Sequence, residues 1–279
     1  MNVSRTARVP VRKLGRGASV SSLLDALAIE EPLEIRAAWK DDRGVESDRA
    51  IAVTMRTPGN DGELAAGFLV SEGILTAREQ VSGIDEGGNV VRVDLAPGVR
   101  VDLGAIERHV YVSSSCGVCG KSSIDSVRTR GAFAPAVAPT IVDPRVVHEM
   151  PEVLRRAQSV FEETGGLHAA GLFDASGHLV AAREDVGRHN AVDKLVGASL
   201  LRGALPLYNH VLVLSGRTSF ELVQKAAMAG IDVVVSVGAP SSLAVELARE
   251  GGMTLLGFVR DGRFNVYTGG ERIVGITDG

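Results

Sequence analysis

The sequence predicts a layered α/β second half preceded by a smaller α+β first half, and three observations carry that reading. Apolar runs at 168–174, 178–183, 210–215, 232–237 and 253–260 alternate with helical stretches at 187–202, 218–229 and 241–250, the pattern of strands laid in one sheet with helices on its faces. The first half shows short β-branched or alternating runs and two short helical segments. Between the halves, GAFAPAVAPTIVDP at 131–144 is rich in proline and small residues, as a linker is. The expected organisation is a flexible tail at 1–20, an α+β domain at 21–135 and an α/β domain at 136–279.

The start, MNVSRTARVPVRKLGRG, is basic and reads as a solvated tail in preference to a nucleic-acid arm. A short helix is expected at 22–28, and strands at 33–39 and 50–55. Thr57, Pro58 and Gly59 then make a turn, after which Asn60 or Asp61 caps a helix that shows Leu64, Gly67, Phe68 and Ser71 on one face and ends near Gly73. Residues 90–103 and 109–113 are expected to pair as strands before SSSCGVCGKSS, where Gly117 and Gly120 impose a turn. Pro144 suits the first position of a helix running to about 163.

Two strand-to-helix junctions in the second half suggest a ligand. In HVLVLSGRTSFELVQKAAMAG a buried strand stops at Ser215 and Gly216, and Thr218 with Glu221 has capping-box spacing. In DVVVSVGAPSSLAVELA a strand stops at Val237 and Gly238, and Ser241 or Ser242 opens the next helix. If the two strands are parallel neighbours, both helix N-termini meet at one sheet edge, where unpaired N–H groups favour an anion such as a phosphate. Plain helix capping explains either junction alone; Arg217 beside the first one favours the ligand, with Ser219 next to it. In the helix at 187–202, Val192, Leu195, Val196, Ser199 and Leu200 form the core face, while His189 and Asp193 share another. That pair is either a surface ion pair or, since Asp185, Arg188, His189 and Asn190 crowd the helix start beside Gly187, the lining of a polar pocket.

Composition sets the outer limits. The chain has 279 residues, 45% hydrophobic and 23% charged, enough for a sizeable core, and its net charge of -4 gives no global field for holding nucleic acid. No unbroken apolar stretch has the length of a signal sequence or a membrane span, so a cytoplasmic protein is expected.

Cys116 and Cys119 are the only cysteines, too few for a disulfide framework. Their Cys-x-x-Cys spacing suits half a zinc site, but no second pair supplies the remaining thiolates. A thioredoxin-like pair sits near the start of a βαβ unit with an aromatic neighbour, and this one lies mid-chain among serines. A structural thiol pair needs apolar surroundings. A carrier thiol, holding a persulfide on a movable loop, is also permitted, since the loop offers N–H groups and Lys121 a charge to favour thiolate. On spacing alone, redox and metal readings together outweigh the carrier.

Seven segments read together, RTPGNDGELAAGFLVSEGIL, SSCGVCGK, GLHAAGLFD, EDVGRHNAVDKLVG, SGRTSFELVQKAAMAGI, SVGAPSSLAVELA and GFVRDGRFNVYT, resemble the FdhD family of formate dehydrogenase accessory proteins over residues 56–268. The resemblance implies a sulfurtransferase that takes sulfur from a cysteine desulfurase onto Cys116, with Cys119 assisting or relaying. It delivers that sulfur to the molybdenum bis(molybdopterin guanine dinucleotide) cofactor, a bound substrate, for the formate dehydrogenase catalytic subunit. The family's cofactor-binding segment falls on Phe258, Val259, Arg260, Asp261, Gly262 and Arg263, whose arginines suit a diphosphate or a guanine edge; His189, Arg217 and Ser219 are further candidate contacts. The resemblance also implies a three-layer fold like that of the cytidine deaminases. His168-Ala169-Ala170 lacks the deaminase glutamate and Ser115 replaces the proline before the cysteines, so no zinc centre is expected. A homodimer is expected because the cofactor carries two guanine nucleotides. The rival function is a cofactor-binding chaperone with a redox-sensing dithiol, and a dithiol oxidoreductase is a third.

Overall fold

The computed structural model describes residues 4–14, 20–40, 44–99, 101, 133 and 138–276. Cys116, Cys119, the strand expected at 109–113 and part of the proline-rich stretch lie outside them. The described chain is a mixed α/β structure with three sheets.

The first sheet is an antiparallel pair, β1 (Thr6–Leu14) and β2 (Val20–Ala28). It replaces both the tail and the short helix expected from the sequence. The leucines at 23, 24 and 27 fit helical spacing locally, but Val11 lies opposite Leu23 and Pro10 opposite Leu24, so cross-strand pairing overrides local preference. Arg5 ties the ribbon down, its guanidinium donating to the Glu184 carbonyl at 3.0 Å.

The second sheet has the order β4-β3-β6-β5, with β3 (Glu31–Lys40), β4 (Glu46–Arg56), β5 (Val81–Gly87) and β6 (Val90–Leu95). Helix α1 (Asp61–Ser71) follows β4. Its cap differs from the expected one: Asn60 sits at the N-cap with φ 61° and makes no side-chain cap bond, while the Asp61 carboxylate is drawn off to the buried Arg56 at 2.8 Å.

The third sheet has six strands in the order β12-β11-β10-β9-β7-β8. These are β7 (His168–Asp174), β8 (Leu179–Asp185), β9 (His210–Leu214), β10 (Val233–Ser236), β11 (Thr254–Arg260) and β12 (Arg263–Thr268). Strands β9, β10 and β11 are parallel, and β7 is antiparallel to both β8 and β9. Alternation along each strand serves two cores. Val211, Val213, Val233 and Val235 face Met150 and Leu154 of α2 (Pro144–Arg156). Leu212, Leu214 and Val234 face α4 (Arg188–Leu201), α5 (Phe220–Met228) and α6 (Ser242–Glu250). The result is three layers, helix on sheet on helix. The single helix expected to run to about 163 is two, because the Glu184 carboxylate accepts the Val160 and Phe161 amides at 3.1 and 2.8 Å and so starts α3 (Ser159–Thr164) afresh.

One hydrophobic core crosses the expected boundary at 135/136, joining Ile35, Val91, Leu64 and Leu69 to Leu195 and Val196. Its centre is the crossing of α1 on α4. A Cβ on Gly67 would overlap the Asp193 carbonyl, and one on Gly197 would overlap the Glu63 carbonyl, so the two backbones touch where neither residue has a side chain. Helix α4 is buried on every side from Asn190 to Leu200, which rules out the surface ion pair considered for His189 and Asp193.

Gly197→Ala should therefore force the helices apart and cost at least about 1–3 kcal/mol. Urea unfolding should show a lower midpoint; an unchanged midpoint would show that the crossing tolerates a methyl group.

Candidate functional site

The strand directions gather chemistry at one edge of the six-stranded sheet. Strands β8, β9, β10 and β11 end there, and β7 and β12 begin there. The edge therefore holds His168, residues 185–190, 215–219 and 237–241, and the turn at 258–263. Backbone bonds sew the loops into a continuous rim. The Gly238 amide donates to Gly216 O at 3.1 Å, Thr218 N to Ala239 O at 3.1 Å, Ser241 N to Thr218 O at 3.0 Å and Phe258 N to Gly238 O at 3.0 Å.

Helices α4, α5 and α6 all start on this rim, which makes it the ligand position typical of parallel α/β sheets. Ser241 caps α6 by accepting the Ala244 amide at 3.2 Å. The caps of α4 at Gly187 and α5 at Ser219 have no side-chain bond. The expected Thr218–Glu221 capping box does not form. Thr218 is buried with its hydroxyl unpartnered, and Glu221 turns to His189 instead, Oε2 to Nε2 at 2.6 Å, with Ser219 Oγ 3.1 Å from the same nitrogen. Burial pushes the Glu221 carboxyl up, but the hydrogen bond and charge of His189, with Lys225 and Arg188, outweigh it and hold it below its ordinary value.

Beneath the rim every acidic group is matched. Asp185 and Lys194 have fully buried side chains 2.7 Å apart. Lys194 also donates to Thr57 O at 2.7 Å, and Asp185 accepts from the amides of Thr57 and Gly187 and from Asn190 Nδ2. Asp193 is gripped by Lys225 at 2.8 Å and by the Ser71 hydroxyl at 2.7 Å. The cations above are not matched: Arg188, Arg217, Arg260 and Arg263 form no ion pair among the described residues. The rim is thus locally cationic, although the chain carries a net negative charge. By contrast, a cavity of about 550 Å³ beside Trp39 in the four-stranded sheet has its Asp48 and Glu46 already held by Arg36 and Lys40.

The sequence-derived candidates fall as follows. His189, Arg217 and Ser219 come together on the rim, with Arg217 exposed and the other two half-buried. Arg260 and Arg263 are exposed across a two-residue hairpin whose turn, Asp261 and Gly262, has φ of 54° and 70°; Asp-Gly is the residue pair such a turn demands. Phe258 is half-buried at φ 54°, its ring 5.9 Å from the Arg260 guanidinium. Val259 has its side chain in the core. The imidazole of His168 is a further rim group, not among the candidates the sequence offers. Its signal is a histidine at the first position of an otherwise apolar strand, and the fold sets that imidazole against Gly216. Among the described residues no group of three or more histidines, cysteines or carboxylates could hold a metal ion, and no helix is long and apolar enough to cross a membrane.

Because Glu221 is depressed in the fold, its stabilising contribution is complete above the ordinary carboxylate range and is lost as pH falls through the folded value. Glu221→Gln should be less stable than the parent near neutrality, with the gap closing in acid. A gap that persists in acid would show that His189 does not hold the carboxylate.

The chain is similar to known proteins over nearly its whole length. The chain is 51% identical over 269 residues to the sulfur carrier protein FdhD of Streptomyces coelicolor, covering 92% of each chain. It is 49% identical over 278 residues to the protein of the same name from Mycolicibacterium paratuberculosis, covering 96% of this chain and 98% of the relative. A crystal structure from Desulfotalea psychrophila, of a protein provisionally assigned as a formate dehydrogenase accessory protein, superposes with a TM-score of 0.75 at 26% identity, covering 97% of this chain and 100% of that one. The model of the FdhD/NarQ family matches residues 28–274, and the chain belongs to that family.

Proposed function

We propose that this chain is a sulfur carrier acting as a sulfurtransferase in the cytoplasm. Cys116 thiolate attacks the outer sulfur of a cysteine desulfurase persulfide, leaving the donor as thiolate and Cys116 as the persulfide. Cys119 assists or relays. The acceptor is the molybdenum bis(molybdopterin guanine dinucleotide) cofactor, bound as substrate before it passes to the formate dehydrogenase catalytic subunit. The observation that carries the binding half is the rim, where three helix N-termini meet Arg188 and Arg217, cations without ion-pair partners among the described residues; it suits a guanine nucleotide with its phosphates. Arg260 and Arg263 extend the same charge along the edge, and Phe258 offers an aromatic face for a base. The three layers fit a scaffold like that of the cytidine deaminases, used without a zinc centre. A homodimer would present two equivalent rims to a cofactor with two nucleotides.

Two measurements test the two halves separately. Incubation with a cysteine desulfurase and L-cysteine should add one sulfur atom to the intact mass, removable by reductant, kept in Cys119→Ala and absent in Cys116→Ala. A protein that gains no sulfur yet binds guanosine diphosphate would be a cofactor chaperone with a redox-sensing dithiol, and one that only cycles a Cys116–Cys119 disulfide would be an oxidoreductase. Arg217→Gln should weaken guanosine diphosphate binding about tenfold, the loss of one charge-assisted contact; unchanged affinity in calorimetry would remove the rim from the binding site.

A further inference from the structure

We propose that His168 is a ligand-binding residue of the rim, and that its imidazole takes up a proton when a diphosphate group binds there. The inference rests on the reading of the rim as a phosphate site and adds a residue and a charge requirement to it.

The geometry comes first. His168 opens β7 in register with Asp185 of β8, and its Nδ1 lies 3.4 Å from where a methyl group on Gly216 would stand. The ring therefore covers the turn that precedes Arg217. It is half-buried, and neither ring nitrogen has a hydrogen-bond partner among the described residues. Each neighbouring element contributes charge: Arg188 and His189 from the start of α4, Arg217 from the loop after β9, and Asp185 from β8. The one carboxylate is already occupied by Lys194 at 2.7 Å. Glu221, the next acidic group, is occupied by His189.

His168 is therefore a lone imidazole among cations, and both burial and those cations hold its pKa below the ordinary value, burial first. An anion entering between Arg188 and Arg217 reverses the sign of that field. The neutral ring then becomes a charged donor to the ligand. By linkage, one proton is taken up on binding, and affinity falls as pH rises through the bound-state value. Ligands with concentrated negative charge gain most, so a diphosphate is favoured over a monophosphate.

Isothermal titration of the full chain with guanosine diphosphate, and separately with inorganic pyrophosphate, in buffers of different ionisation enthalpy measures the proton count directly. The wild-type protein should take up close to one proton more than His168→Gln at pH near 7, and its affinity should fall with pH more steeply than the variant's, by up to about tenfold per pH unit. Protons carried by the ligand itself, such as the one that the terminal phosphate of guanosine diphosphate loses near pH ~6, contribute equally to both proteins and cancel. Should the variant fail to fold, the His168 ring proton resonance in the wild type should move to the imidazolium position on adding guanosine diphosphate. Equal uptake in wild type and variant, uptake lost only in His189→Gln, or an unmoved resonance overturns the role of His168 while leaving the rim as a binding site. Failure of both ligands to bind the wild type overturns the rim reading as well.

Discussion

The buried pair of Asp185 and Lys194 is the constraint on which the rest of the molecule rests. Neither side chain reaches water, and two charges in such a place are costly unless every polar atom is used. Here they are: the pair bonds to Thr57 at the end of β4, to Gly187 ahead of α4 and to Asn190 in its first turn. Replacing such a pair by apolar residues often costs little stability. What apolar residues could not reproduce is direction. The pair fixes where β4 ends and where α4 begins, and so joins the four-stranded sheet to the six-stranded one in a single register.

From that joint the cationic rim follows. Carboxylates close to it are consumed below or beside the surface: Asp185 by Lys194, Asp193 by Lys225, Glu221 by His189. Positive groups remain at the top, where α4 and α5 start without side-chain caps. The chain's overall charge of -4 conceals this, because the acidic excess lies elsewhere and the rim's own acids are internally spent. Local field, not net charge, decides what such an edge attracts.

Much of the second half was legible because interior strands buried on both faces, whether parallel like β9 or antiparallel like β7, are continuous apolar runs. The run at 168–174 coincides with β7, and that at 210–215 exceeds β9 by one residue. The same logic fails for β12, whose Arg263 and Asn265 are exposed and look like loop. It fails for β1 and β2, where leucine spacing fits helix and strand alike and only the partner strand decides. At the site, glycine and serine after each strand marked the rim, since such turns are local. Pairings across the rim were not legible. Glu221 has the spacing of a cap to Thr218, and nothing nearby in sequence announces His189, a residue from another helix. Cys116 and Cys119 were readable as candidates for thiol chemistry, while the sulfur-carrier reading came from the family alone.

The side-chain-free crossing of α1 and α4 also bears on how the chain is made. Ser71 and its partner Asp193 are 122 positions apart. At ribosomal speeds of about 5–20 residues per second, α1 waits roughly 6–24 s for the helix that covers it. During that interval its leucines, valine and bare glycine backbone have only the four-stranded sheet to lean on. Newly made chains pass through a stage in which the α1 side of the eventual core is open to any apolar surface, and a nascent-chain chaperone has its natural point of engagement there.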